Sequence, residues 1–146
     1  MTTEWSPSVT RDLGNVTRDP RAITMPWMAK TTEEELRPLA DDERQVILRL
    51  LSEEFPGNRA LAAQLSQAQA RRVDTDGGLE LAVTGSPAEV VRRIPVEAEV
   101  DDSDGTTIHV LLHVVNGFLN ELEFFREDGA PVQGAVLPER LRPSVL

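Results

Sequence analysis

Three side chains that could bind a metal ion or exchange protons are expected in one row across three neighbouring strands: Glu97, His109 and Glu123. Cross-strand neighbours have Cβ atoms about 5 Å apart. An imidazole held between two carboxylates could therefore bind a divalent metal or have a raised pKa. The alternative, which we favour, is a solvated charged surface on which His109 takes part in ordinary charge pairing.

Two further clusters of potential ligands are weaker candidates. His113 follows His109 by four residues, and on a strand this spacing separates the side chains by about 13 Å, too far to share one ion. The segment 101–105, Asp-Asp-Ser-Asp-Gly, has the oxygen ligands of a calcium loop but lacks the downstream bidentate Glu. We interpret this segment as a solvated turn, and we predict no cofactor.

The register of the main hairpin decides which side chains meet. The segment 107–115 is rich in β-branched residues and ends at Asn116-Gly117, a strong hairpin signal. A two-residue turn there would place two carboxylates on an apolar face. A three-residue loop that includes Val115 pairs Val110 with Leu122 instead and keeps this face apolar. We therefore predict the three-residue loop.

The strand before this hairpin follows the same alternation of apolar and acidic residues and ends at Val100. Placing Val100 opposite Thr106 extends the apolar face over three strands and brings Glu97 beside His109. Pro95 has no N–H group for a sheet, which predicts a bulge or an unpaired edge next to it.

Two helices are predicted before these strands. The first runs from Asp41, which can cap it, to about Phe55, and the second runs from Arg59 to about Ala68 after the capping residue Asn58. Shorter strands are predicted at 71–73, 79–83 and 131–136. The fold class is therefore α+β, with two N-terminal helices packed on a five- or six-stranded antiparallel meander sheet.

The domain organisation is predicted as an extended arm (1–32), a single α+β domain (33–137) and a C-terminal tail (138–146). The arm contains both tryptophans of the chain, Trp5 and Trp27. Indole rings are enriched at binding hot spots, which suggests that the arm contacts a partner. Packing of the arm on its own domain and a dispensable extension stay open as alternatives.

Composition limits the classes of partner. The chain of 146 residues has 15 basic and 25 acidic side chains and a net charge of −10. This charge disfavours nucleic acid and anionic membranes and is compatible with a basic protein partner, although surplus acid also serves solubility. The absence of cysteine fits a reducing compartment, and we see neither a membrane-spanning run nor a signal peptide. We expect a soluble cytoplasmic protein.

Familiar catalytic motifs are missing from the sequence. Gly77-Gly78 lacks the lysine and helix of a phosphate-binding loop, and there is no Gly-x-Ser-x-Gly sequence. Nothing in the sequence therefore identifies a catalytic residue.

The chain from Leu39 onward resembles small bacterial α+β domains, some of them similar to immunity proteins of polymorphic toxin systems. The resemblance rests on Phe55-Pro56-Gly57 at the end of the first helix and on the hairpin HVVNGFLNELEFFREDGAPV, residues 113–132, and covers roughly residues 39–137. It implies a non-catalytic protein that binds a toxin or another partner, and it transfers no catalytic residue.

These observations favour a non-catalytic, acidic protein-binding module of the immunity type. The alternatives are a metal-dependent enzyme that uses the exposed sheet face and a small-ligand carrier that uses a pocket between helices and sheet. The oligomeric state is left open.

Overall fold

The computed structural model describes residues 35–90 and 92–146. These residues form two α-helices, seven β-strands and two short 3-10 helices. In chain order the elements are β1 (Arg37–Pro38), α1 (Asp41–Leu51), α2 (Asn58–Gln64), a 3-10 turn (Leu65–Gln67), β2 (Gln69–Arg72), β3 (Leu79–Ala82), β4 (Val96–Asp101), β5 (Thr107–Val115), β6 (Phe118–Arg126), a second 3-10 turn (Pro138–Arg140) and β7 (Arg142–Val145). No helix in this part of the chain is long and apolar enough to cross a bilayer.

The strands form one antiparallel sheet in the order β1-β2-β3-β6-β5-β4-β7. The α+β class, the antiparallel sheet and the two helices are confirmed. The sheet has seven strands rather than five or six, the helices follow β1, and β6 rather than β4 lies beside β3. The chain between β3 and β4 passes the tip of the β5–β6 hairpin, where Ala88 N–H donates to the Gly117 carbonyl at 2.8 Å.

The segment 138–146, predicted as a tail, contributes the edge strand β7, which pairs with β4. Leu146 N–H donates to the Pro95 carbonyl at 3.0 Å. Because hydrogen-bonding directions alternate along an antiparallel strand, the nitrogen of Pro143 faces away from β4. The missing proline donor therefore costs no sheet hydrogen bond. The strand predicted at 131–136 does not form, and this segment is irregular.

The hairpin register differs from the prediction. Val115 pairs with Phe118 across a two-residue turn, in which Asn116 has φ 54° and Gly117 has φ 83°. Positive φ at both residues is the geometry of a type I′ turn. A bulge then shifts the register by one residue at Asn120, so that Val110 pairs with Phe124. The predicted three-residue loop is wrong, but the face that it assigned to Val110 is right.

The β4–β5 register is also displaced by two residues from the prediction: Val100 pairs with Ile108 instead of Thr106. A shift of two preserves which side chains share a face. Val96, Ala98 and Val100 are therefore buried as expected, on a strand that contacts α1. The core consists of apolar side chains from both helices and from the helix-covered face of the sheet: Leu39, Val46, Ile47, Leu50, Leu51, Phe55, Leu61, Leu65, Ala68, Ala70, Leu79, Leu81, Ala88, Val96, Ala98, Val100, Ile108, Val110, Leu112, Val114, Leu119, Leu122, Phe124 and Leu141.

The ends of the helices differ from the predicted caps. Ala40 rather than Asp41 is the N-cap of α1, and the Glu43 carboxylate accepts the Ala40 N–H at 2.8 Å. Arg37 donates to both oxygens of Glu43 at 2.7 and 2.9 Å, and these bonds lower the pKa of Glu43. Asn58 is the first residue of α2, and its side chain donates to the Leu51 carbonyl at 3.1 Å, which satisfies one of the free carbonyls at the end of α1.

A buried glutamine on α2 holds the hairpin tip. The Gln64 amide donates to the Gly117 carbonyl at 2.8 Å and to the Ser86 carbonyl at 3.0 Å. Its oxygen accepts the Leu119 N–H at 3.0 Å. Gln64 therefore accepts a hydrogen bond from the backbone of β6 next to the bulge, where the regular hydrogen bonding between strands is interrupted.

Candidate functional site

The face of the sheet opposite the helices, called here the open face, is the candidate site. Alternation along the strands directs every second side chain to it, and none of these strand side chains is buried, whereas the helix-covered face is lined by the core. Its residues are Pro38 on β1, Gln69 and Arg71 on β2, Glu80 and Ala82 on β3, Glu97, Glu99 and Asp101 on β4, Thr107, His109, Leu111, His113 and Val115 on β5, Phe118, Glu121, Glu123 and Phe125 on β6, and Arg142 and Ser144 on β7.

Carboxylates outnumber basic groups on the open face. The open face carries two arginines, Arg71 and Arg142, and six carboxylates, those of Glu80, Glu97, Glu99, Asp101, Glu121 and Glu123. Arg71 pairs with Glu80 at 2.8 Å, and Arg142 pairs with Asp101 at 3.2 Å. The four carboxylates outside these two pairs lie on β4 and β6, on either side of β5.

The predicted row of Glu97, His109 and Glu123 does not form. The register places Leu111 between Glu97 and Glu123, because both strand pairings are displaced by two residues from the predicted ones. Among residues 35–90 and 92–146, no group of three or more His, Asp or Glu side chains could hold a metal ion. The metal interpretation of these three residues is corrected accordingly.

His109 instead belongs to a row with Glu99 on β4 and Phe125 on β6. The imidazole stacks on the Phe125 ring, with centroids 5.0 Å apart and an interplanar angle of 21°. His109 Nε2 lies 3.1 Å from the Glu127 carboxylate. The histidine is thus held between an aromatic ring and one carboxylate.

His113 forms the second histidine–carboxylate pair of the open face. Its Nε2 lies 2.8 Å from the Glu123 carboxylate. Because a carboxylate accepts hydrogen bonds, this contact assigns the proton to Nε2. The other ring nitrogen, Nδ1, is buried and has no hydrogen-bond partner.

Two predicted site residues, Trp5 and Trp27, lie outside the described residues. Their contact with a partner stays a prediction.

The acidic turn 101–105 is organised around Arg126, a residue that the sequence interpretation missed. Arg126 is buried and donates to the carboxylates of Asp102 at 2.9 Å, Asp104 at 2.9 Å and Asp128 at 2.6 Å. The alternation on β6 contains the signal that could have revealed it. Arg126 follows Leu122 and Phe124 at every second position and must point inward, where a buried cation needs carboxylate partners.

Arg126, Asp102, Asp104 and Asp128 form a cluster, called here the Arg126 cluster, in which the opposite charges stabilise one another. Burial by itself would raise the pKa of the Asp102 carboxyl, but N–H groups of Gln133, Ser103 and Gly134, together with Arg126, hold this pKa well below its usual range. Arg126 and the Ala130 N–H lower the pKa of Asp128 to about 2. These hydrogen bonds also fix the irregular segment 131–136, so the cluster has a structural role and Asp102 is not solvated as the sequence suggested.

The cavities give little support to a small-ligand carrier. A cavity of about 240 Å³ lies between the start of α1, the β2–β3 turn and the segment 132–136. Ligand sites typically occupy about 300–1,000 Å³, so this cavity is small for a ligand site. Its lining combines apolar side chains with the charged side chains of Asp42, Glu43, Arg72 and Asp76. A groove of about 460 Å³ is lined by Gln45, Leu48, Arg49, Ser52, Pro138 and Glu139. Within the described part of the chain, no strand residue lines it, so it is not the pocket between helices and sheet that a carrier was predicted to use.

Comparison with protein families places the chain in one of them. Residues 36–135 match the family model described as a domain of unknown function, DUF6984. The match covers more than half of the chain, which therefore belongs to this family. No curated protein and no solved structure matches the chain significantly.

Proposed function

We propose that this protein is a non-catalytic protein-binding module whose open face docks a basic partner. The observation that supports the proposal is the charge distribution on that face, where six carboxylates face two arginines and none of these side chains is buried. A surface of one sign attracts a partner of the opposite sign and accelerates encounter.

The cross-strand pairs of the open face support the same conclusion. Glu80 and Glu121 lie directly opposite each other on β3 and β6. Like charges in this position destabilise a sheet. Arg71 compensates Glu80, but Glu121 has no ion pair within the described part of the chain. A basic group from a partner would compensate it, so the arrangement suits a complex better than an isolated sheet.

An immunity-type role is one form of this proposal, and it rests on the sequence resemblance described above. In that case the partner is a toxin, and the site of action is the cytoplasm, which the lack of cysteine also favours. Trp5 and Trp27 are predicted to add contacts to the same partner.

Affinity capture from the source cell with matched charge variants tests the proposal. The first variant replaces Glu97, Glu99 and Glu121 by Gln, and the control replaces Glu54, Glu89 and Glu139, which are exposed and lie away from the open face. Both variants change the net charge by the same amount. We expect a stoichiometric basic protein to be recovered with the wild-type chain and the control, and to be lost with the first variant and at high salt. Equal recovery with both variants would contradict the proposal.

A further inference from the structure

One part of the open face combines an exposed aromatic ring with free carboxylates. Phe125 is 38% exposed, whereas Phe55 and Phe124 are buried. It stacks on His109 with a centroid distance of 5.0 Å, close to the spacing of neighbouring strands. The two rings therefore continue one cross-strand row, and Glu99 is the next residue in that row, directly opposite His109 on β4.

The carboxylates beside these rings have acceptor capacity to spare. Glu99 is exposed and has no hydrogen bond or ion pair among the described residues. Its neighbour on β7, Arg142, is bonded to Asp101 instead. Glu127 contacts His109 Nε2 through one oxygen, and its side chain is 67% exposed. Two carboxylates with free oxygens thus flank the stacked rings.

Stacked rings bordered by carboxylates match the chemistry of a guanidinium group. Guanidinium is flat, stacks on aromatic rings and donates paired N–H bonds to a carboxylate, whereas the lysine ammonium is a compact, strongly hydrated charge. An apolar side chain would gain from Phe125 but not from Glu99, and a lysine would gain from Glu99 but less from the rings.

We propose that His109, Phe125, Glu99 and Glu127 form a binding site for an arginine side chain of the partner protein. The inference rests on the proposed function, since it specifies which basic residue the open face selects. The stacked rings provide the preference for arginine over lysine, and the carboxylates provide the attraction common to both.

Titration of the full chain with two peptides tests the inference. The peptides have equal length and charge, one with four arginines and the other with four lysines, separated by glycine and serine. At low salt, we expect the wild-type chain to bind the arginine peptide roughly five-fold more tightly than the lysine peptide. Phe125→Leu should reduce this ratio to about one while lysine-peptide binding persists, because the carboxylates remain.

Charge-matched variants locate the site. Glu99→Gln should weaken both peptides, whereas Glu89→Gln, at an exposed position on the helix side, should leave both affinities unchanged. A wild-type chain that binds both peptides equally would overturn the arginine site but leave an acidic docking face in place. Equal weakening by Glu89→Gln and Glu99→Gln would show that binding follows net charge and would overturn the assigned location. If neither peptide binds, the arginine site is also overturned, and capture of the cell's own proteins decides the proposed function separately.

Discussion

Replacing Gln64 by methionine should weaken the hairpin that carries both histidines of the open face. Gln64 is 5% exposed, and methionine has nearly the same length and volume but cannot replace its hydrogen bonds. The variant therefore removes the contacts to Gly117, Ser86 and Leu119 while the packing of α2 on the sheet is kept.

The size of the effect follows from what each partner loses. The Leu119 N–H is left without an acceptor inside the protein, which costs about 1–3 kcal/mol. The Gly117 carbonyl keeps its bond from Ala88 N–H, and Ser86 is exposed, so its carbonyl can bind water. With the lost bonds to these carbonyls included, we expect a total of about 2–4 kcal/mol. This corresponds to a fall in Tm of about 6–20 °C for a domain of this size.

Thermal and urea unfolding followed by circular dichroism measure this loss. Gln67→Met is the matched control, since it makes the same chemical change at an exposed position, and we expect it to stay within about 0.5 kcal/mol of the wild type. Hydrogen exchange of the Leu119 amide adds a local readout, which should accelerate in Gln64→Met alone. If the two variants were equally stable, Gln64 would not hold the hairpin tip and the reasoning would be refuted.

Two further predictions concern the turns. The folded-state pKa values of Asp102, Asp104 and Asp128 are lowered. These groups therefore stabilise the fold above their unfolded pKa of about 3.9, and this stability is lost as pH falls toward about 2. Tm measured against pH should show this fall, and Asp128→Asn should make the fall smaller. Gly117→Ala should lower the free energy of unfolding by more than about 2 kcal/mol, because the added Cβ would lie 2.5 Å from the Ala88 carbonyl oxygen. Gly129 has a similar φ and open space around it, so Gly129→Ala should lower it by only about 1 kcal/mol. Urea unfolding measures both values.

The faces of the sheet could be predicted from the sequence, whereas the pairing partners could not. Alternation has a period of two, so it assigns Val110 to the core whatever the exact register. The turn signal at Asn116-Gly117 requires a turn of two residues. The apolar pattern requires the strand pairing to be shifted by an odd number of residues from the register that such a turn sets. The structure satisfies both requirements by placing the extra residue, Asn120, within β6. The prediction placed it in the turn, so the partner of Val114 was displaced by one position and every cross-strand partner beyond the bulge by two.

Long-range contacts explain the other differences. β7 contains Pro143, which is unfavourable in an internal strand and acceptable only because this strand is at the edge of the sheet. Asp102 resembles its neighbours in an acidic turn, and its burial becomes understandable only when Arg126, 24 residues later, is recognised as an inward-pointing cation. Both features depend on which parts of the chain meet, and neither is encoded within one local segment.

The two-residue displacement also changes the function that the open face can support. In the predicted register, Glu97 and Glu123 would flank His109 and converge on one point, as a metal ion requires. In the observed register, Glu127 contacts His109 and Glu123 contacts His113, while Glu97, Glu99 and Glu121 lie on separate strand positions without ion pairs in the described part of the chain. Charges that are distributed in this way cannot coordinate a single ion. They can compensate several basic groups spaced along a partner's surface, which is why the observed register favours a docking surface over a catalytic centre.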